Sequence, residues 1–507
     1  MATVKLTGVP GTSFTSKLIN ACANNSLYAA GTVFDCSDYK GTQNLTTTVR
    51  ILRPGITLLF GQINVIYTPT TGNMFEINAP NITIKGVTRS TTEDTGTKGS
   101  TRFVMEPVSN SANVGYHVYT LPSSLVSWES SNSLTIQDCQ FLGKRSVYTS
   151  SGGTAVYSVT GAGGIMITEG DPTGTSNISN VILSNVLVHS SRYHGITLYG
   201  GITSSITNCR VTNAAGHGFY ITGSTTSTKL DTCFASGNTL AGYCLHDTVY
   251  STLINCASDS NGLGYWLRNA TSCTLVSPGA EENLVRDNIP NNLGITLPSS
   301  DGPIALNDIG SDNVNFIKGT SYLITGGGYN TITSPYSKNP SSRSGETVWL
   351  SKYTAHFHLA GECYNNTITS VRIAGNSPLK YNYRLASLGG EPPYANNIGA
   401  YIDSYDPINP SETPNGDSDE FIADVLDQGA GNIFPQGEFI NSFAGIYINT
   451  FGDDNVSYIN KLAVSSKFAV PSLPSTPSNP IDGEMYRDSG TGHLYYYTGS
   501  GWVTIAS

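Results

Sequence analysis

Between about residues 180 and 270 the chain alternates apolar and polar side chains in short runs, and the runs recur. Four units superimpose: Asn185 to Leu198, Asn208 to Ile221, Thr232 to Leu245 and Asn255 to Leu267. Each closes on a glycine followed by two residues and then Leu or Ile; the glycines are Gly195, Gly218, Gly242 and Gly264, spaced 23, 24 and 22 residues apart. Within a run the period is two, the signature of a strand. Helical solenoids repeat over ~33 residues or more, and leucine-rich repeats carry a different consensus. A period of 22 to 24 residues accommodates one coil of three strands and three turns. The pattern predicts a parallel β-helix.

Alternation also assigns faces. The first and third residues after each glycine point inward: Ile196/Leu198, Phe219/Ile221, Tyr243/Leu245 and Tyr265/Leu267. The second and fourth point outward: Thr197/Tyr199, Tyr220/Thr222, Cys244/His246 and Trp266/Arg268. Coils stack at ~4.8 Å, so equivalent residues form ladders. Val186, Cys209, Cys233 and Cys256 form one predicted interior ladder, since free cysteine packs as a small hydrophobe. Asn185, Asn208 and Asn255 are expected to stack at a tight turn, because asparagine tolerates the left-handed region and its amide can bond along the stack.

The coil from Ile206 to Val211, with Asn208 and Cys209 at its turn and a glycine-aromatic run after it, resembles the right-handed β-helix of the pectate lyase superfamily. The N-terminus fits: Thr12 or Ser13 can cap a helix whose Phe14, Leu18, Ile19 and Cys22 make one apolar stripe. The resemblance implies an all-β fold, a right-handed single-stranded parallel β-helix, with a helix plugging its open N-terminal end. It covers roughly residues 10 to 290. The expected organisation is a cap helix and first strand over 1–40 and regular coils over 41–290. Over 291–470 either irregular coils continue or a β-domain is appended. A Pro-rich spacer at 471–480 has proline at every third residue, matching the three-residue turn of polyproline II. The last segment, 481–507, reads as two hairpins and is similar to small C-terminal modules of phage tail and tail-fibre proteins.

Composition changes the picture in three ways. Charged residues are 12% of the 507, and 26 basic against 36 acidic residues give a net charge of −10, which argues against nucleic acid or an anionic membrane as partner. No run approaches the ~18 apolar residues of a spanning helix. The nine cysteines show no metal-type or disulfide spacing, and Met1 to Lys5 carry no apolar h-region, so a reducing site of synthesis without a signal peptide is expected.

A β-helix binds along an outward ladder walled by turns. Here that ladder displays Tyr199, Tyr220, Trp266, His246 and Arg268, flanked by Arg192, His194 and His217. Outward aromatic rings stack on sugar faces and arginine clamps carboxylates; a partner chain or a long loop could equally bury such rings. Glycoside hydrolysis needs two carboxylates. None lies on the outward ladder positions, so the candidates are turn residues: Glu169 and Asp171, Asp247 and Asp259, Glu281 and Glu282. Lyase or epimerase chemistry instead needs a base such as Tyr or His and a cation beside a uronate carboxylate. His217, His246, Tyr220 and Arg268 supply those types. His356 and His358 share one strand face but gather no third ligand, and the acidic run Asp417, Asp419 and Glu420 lacks the glycine spacing of a calcium loop. No metal or other cofactor is expected, with calcium at that run the sole candidate.

Asp171-Pro172 followed by His217-Gly218-Phe219 resembles the catalytic strip of mannuronan C5-epimerases and related alginate lyases, although the histidine after proline is replaced by Thr173 and the preceding tyrosine by Thr168. The combined expectation is a homotrimeric phage tailspike that binds and depolymerises a bacterial surface polysaccharide. It is made in the host cytoplasm and acts outside the cell from a virion tail, together with other tail proteins. A bacterial lyase or epimerase unrelated to phage, and a non-catalytic glycan adhesin, are the alternatives.

Overall fold

The computed structural model describes residues 2–25, 27–69, 71–87, 100–107, 115–121, 133–145, 148–151, 154–157, 161–168, 178–283, 320–338, 355–374, 381–386, 393–399, 401–404, 423–427, 447–449, 472–473 and 485–506. Two compact units divide the chain, Met1–Ile459 and Asn460–Ser507. In the first, successive strands fall in rotation into three long sheets of 13, 12 and 13 described strands, designated A, B and C in the order the chain visits them. Every ladder within these sheets is parallel, and each strand pairs with its equivalents in the coils before and after. Strands beyond residue 320, such as Tyr322–Gly328, Ala355–Tyr364 and Tyr381–Ala386, join the same sheets.

The predicted faces are the observed ones. Ile196, Leu198, Phe219, Ile221, Tyr243, Leu245, Tyr265 and Leu267 all lie in the interior core. Their aromatic members stack along the axis: Phe219 on Tyr243 at 5.0 Å, Tyr243 on Tyr265 at 4.9 Å, then Tyr265 on Tyr322 at 5.1 Å and Tyr322 on Phe357 at 4.7 Å, all within 7° of parallel. A buried phenol needs a partner. Tyr265 donates to the Cys256 carbonyl at 2.6 Å and Tyr322 to that of Pro278 at 2.6 Å, so the stack is tied to sheet B.

Turns explain themselves similarly. Asn185, Asn208 and Asn255 take φ of +53°, +51° and +49° at the A-to-B turn, and the Asn208 amide donates to Asn185 Oδ1 at 2.7 Å. The cysteine ladder is buried, and all nine cysteines are free. At the B-to-C corner the repeat glycines are required by close approach: a Cβ on Gly218 would stand 2.6 Å from the Gly242 carbonyl oxygen. Beside them runs a buried amide ladder in which Asn238 Nδ2 donates to Asn261 Oδ1 at 2.8 Å and Asn261 Nδ2 to Asn283 Oδ1 at 3.3 Å.

The helix Phe14–Cys22 closes the N-terminal end, with Leu18, Ala21 and Cys22 buried in the core. Ser13 caps it, accepting from Ser16 N while Ser16 Oγ accepts from Ser13 N, a capping box. Replacing Ser13 with Ala is expected to cost about 1 kcal/mol, read as a shift in the urea midpoint.

The second unit is a four-stranded sheet. Met485–Asp488, Leu494–Tyr497 and Trp502–Ala506 form the two expected hairpins. Ser472–Leu473, expected in the spacer, instead pairs in parallel with the first of these strands; the other spacer residues lie outside the described set.

Candidate active site

The outer face of sheet C carries the predicted ladder. The Tyr220 row continues through Cys244 and Trp266 to Leu323, and the His246 row through Arg268 to Thr325. The sequence reading has these side chains on display; the structure covers them. Tyr220, Trp266 and Arg268 are 2%, 3% and 7% exposed, and Arg192, His194 and His217 are 5%, 2% and 1% exposed. Alternation fixes the side of a sheet on which a residue lies and says nothing of what covers that side. Tyr220, Cys244 and Trp266 pack with Tyr116, Met166, Tyr193, Leu240, Leu263 and Leu323 into a second hydrophobic cluster, separate from the interior core. Trp266 donates from Nε1 to Thr325 Oγ1 at 2.8 Å, and the Arg268 guanidinium lies 5.7 Å from its ring. Arg192 lies against the Tyr193 ring at 4.5 Å and donates to its hydroxyl at 3.0 Å. Tyr199 is half-buried.

Three side chains of this face form a hydrogen-bonded chain. The Tyr220 hydroxyl lies 2.8 Å from His246 Nδ1, and His246 Nε2 lies 3.2 Å from Asp247 Oδ2. A carboxylate only accepts, so Nε2 carries the proton, Nδ1 is the acceptor and Tyr220 donates. Burial holds the Tyr220 phenol above its ordinary pKa, while the Arg268 charge pulls the other way. Exposure rises along the chain, from 2% for Tyr220 to 13% and 50% for the side chains of His246 and Asp247. Asp247 closes the strand in the left-handed region, at φ +50°. The available sequence signal was an acid directly after the last ladder position, where the turn brings it back beside the preceding histidine.

His194 and His217 sit one rung apart at the B-to-C corner, their rings stacked at 5.0 Å and 17°. Each is fixed by the next coil: His217 N donates to His194 Nδ1 at 2.9 Å, and Ala241 N to His217 Nδ1 at 3.1 Å. Burial lowers the pKa of His194 to about 3. It pushes His217 well below its ordinary value too, with the neighbouring His194, His246 and Arg268 charges adding to the effect. His217 is therefore not a base in this arrangement: its one accepting nitrogen is already used.

Of the acidic candidates, Asp247 joins this face, and the other described ones do not. Asp259 and Glu281 are register partners on sheet B, one rung apart and half-buried, followed by Lys338. Glu282 lies just past them at φ +43°. Asp171, Glu169 and Thr173 lie outside the described residues, as does the run from Asp417 to Glu420. His356 and His358 share a face as expected, but each ring is committed to protein: His356 Nδ1 lies 2.6 Å from Ser337 Oγ, and Arg384 donates to His358 Nε2 at 2.7 Å.

Residues 164–335 match the family described as a right-handed β-helix region. No curated protein matches the chain. Among solved structures, the chain is similar to the A-module of mannuronan C-5 epimerase AlgE4 from Azotobacter vinelandii. The identity is 9%, 85% of this chain and 99% of that one are covered, and the TM-score is 0.52. It also matches the catalytic domain of a GH87 α-1,3-glucanase in complex with tetrasaccharides (11% identity, 87% of this chain, 69% of that one, TM-score 0.48). A further match is tailspike protein 3 of bacteriophage CBA120 (12% identity, 99% of this chain, 69% of that one, TM-score 0.36). These are likenesses of fold: the chain is a right-handed parallel β-helix protein.

Proposed function

We propose that this protein binds and depolymerises a uronate-containing bacterial surface polysaccharide, and that it cleaves by proton abstraction rather than hydrolysis. The observation that carries this reading is the Tyr220–His246–Asp247 chain on the outer face of sheet C. Tyr220 passes its phenolic proton to His246 Nδ1, and Asp247 steadies the imidazolium that results. The phenolate then takes the proton next to the uronate carboxylate. The electron pair left behind forms a carbon–carbon double bond as the adjacent glycosidic carbon–oxygen bond breaks. The leaving oxygen takes the proton back from Tyr220, and His246 returns its own. Because burial keeps the phenol protonated at rest, its ionisation is coupled to transfer into His246 rather than to loss to water. Arg268, in register with His246, adds positive charge where negative charge develops.

A second reading has its own observation. Asp259 and Glu281 stand on adjacent parallel strands, at the ~4.8 Å strand spacing that approaches the ~5 Å separation of a retaining glycosidase. The two readings part on one experiment. Elimination leaves an unsaturated uronate end that absorbs in the ultraviolet, and the double variant Asp259→Asn/Glu281→Gln is expected to keep turnover within a few-fold. New reducing ends without that absorbance, abolished by the double variant, would transfer the chemistry to sheet B.

Assembly as a homotrimer in a virion tail, acting outside the cell, belongs to the same proposal. Its support is the C-terminal unit, Asn460–Ser507, which is too small to bury much core by itself. Light scattering of the full chain that returns a monomer mass would contradict it.

A further inference from the structure

Among the described residues, three histidines accept a backbone N–H at Nδ1: His117 from Gly164, at 3.0 Å, and His194 and His217 from the coil that follows each. A neutral ring with Nδ1 as acceptor must carry its proton on Nε2. In His117 that proton has a destination, since Nε2 lies 3.1 Å from the Leu142 carbonyl oxygen. In His194 and His217 it has none: both Nε2 atoms are buried without a hydrogen-bond partner. Buried donors are nearly always satisfied, and two adjacent orphans on stacked rings are a marked departure from that rule.

The same bookkeeping of protons limits what the pair can do. Neither Nε2 has a lone pair to offer, so neither can ligate a metal or act as a base. What remains is a pair of fixed, uncharged donors one rung apart, with no acceptor of their own. Tyr220 lies across both, its ring 4.6 Å from His194 and 5.2 Å from His217, and Trp266 approaches His217 at 5.9 Å. Such a site matches a group that only accepts.

We propose that His194 and His217 form a receptor for the carboxylate of an acidic sugar, with the two Nε2–H groups donating to its oxygens. The assignment rests on the reading of Tyr220, His246 and Asp247 given above and places the substrate's charged group at the buried end of that array. The ligand enters from the Asp247 side, where exposure is greatest, and displaces the Tyr220 ring from the imidazoles. Their low proton affinity suits the task, because a donor that stays neutral stabilises developing negative charge without surrendering its proton to it.

The test uses the full chain labelled with 15N at histidine, of which there are eight. The signals of His194 and His217 are expected to show the Nε2–H tautomer from pH 7.5 to 5. They should shift on addition of acetate, glucuronate or galacturonate, and stay still with glucose. Phosphate and sulfate form separate arms, and a response to these but not to carboxylates would overturn the sugar-acid assignment. His217→Asn keeps an oxygen able to accept from Ala241 N, as Asn238 Oδ1 does from Ala214 N at 2.8 Å, but removes the Nε2 donor. It is expected to weaken uronate binding about tenfold or more, with the melting transition still cooperative and the loss appearing in KM. Tyr220→Phe should keep carboxylate binding while losing turnover. Imidazole signals that ignore every carboxylate, or that show the Nδ1–H tautomer, sink the receptor even if the Tyr220 relay works. Carboxylate binding with a silent relay sinks the relay and leaves the receptor standing.

Discussion

Tyr220→Phe is expected to reduce polysaccharide turnover by about 10²–10⁴-fold, the range removed with a positioned acid–base group. The substitution deletes one oxygen and keeps the ring. The packing of residue 220 against His194, His217 and the outer cluster is therefore preserved, and the cost to stability is about that of one hydrogen bond, ~1 kcal/mol. What is lost is the donor 2.8 Å from His246 Nδ1 and with it the path for the substrate proton. The variant should melt close to wild type while product formation collapses, and the loss should appear in kcat rather than KM. Asp247→Asn supports the assignment from the other end. Without the carboxylate the imidazolium loses its counter-charge, so turnover should fall by a smaller factor, with the tautomer of His246 no longer fixed. Unchanged turnover in Tyr220→Phe would remove the phenol from the chemistry altogether.

How much of this was legible before the structure depends on which physical quantity the sequence encodes. Period and alternation encode geometry: the glycine spacing set the coil, and parity set the face of the four residues after each repeat glycine, from Ile196 to Tyr199 through Tyr265 to Arg268. The left-handed asparagines at 185, 208 and 255 were legible because few residue types tolerate that turn. The cysteine ladder was legible because free cysteine packs as a buried small hydrophobe. Burial of the outer face was not. Tyr220 and Trp266 carry the same outward parity whether the surface above them is open or covered, so an expected sugar platform became a second cluster. Asn238, Asn261 and Asn283 recur at coil spacing, yet nothing local distinguishes a buried amide rung from an exposed turn. The roles of His194 and His217 were hidden for a related reason. The choice between base and donor is made by one backbone N–H from the next coil, and that contact exists only once the coils are stacked.

Acidification is expected to destabilise the β-helix steeply between pH 6.5 and about 4, well before most carboxylates protonate. Five buried histidines among the described residues are held neutral: burial lowers His117 to about 4, His194 and His356 to about 3, and His217 and His358 well below their ordinary value. In the unfolded chain each titrates near 6.5. Above that pH both states are neutral and the histidines contribute no slope. Below it the unfolded chain binds protons that the folded chain refuses, so stability falls as pH falls, and continues to fall until the folded rings protonate in turn. The limiting slope is ~1.4 kcal/mol per pH unit for each histidine, so the five acting together remove several kcal/mol across this window. The half-buried Asp35 and Asp231, whose pKa values are lowered, act in the same direction only at lower pH. Urea midpoints taken at half-unit steps from pH 7.5 to 4.5 should be level above 6.5 and then drop with increasing slope. His217→Asn should flatten the drop by the share of one proton, because an amide does not titrate. A midpoint independent of pH across this range would mean that the rings are protonated in the folded state. The neutral donors at the end of the Tyr220 array would then be cations, and the carboxylate would be held there by charge rather than by two uncharged N–H groups.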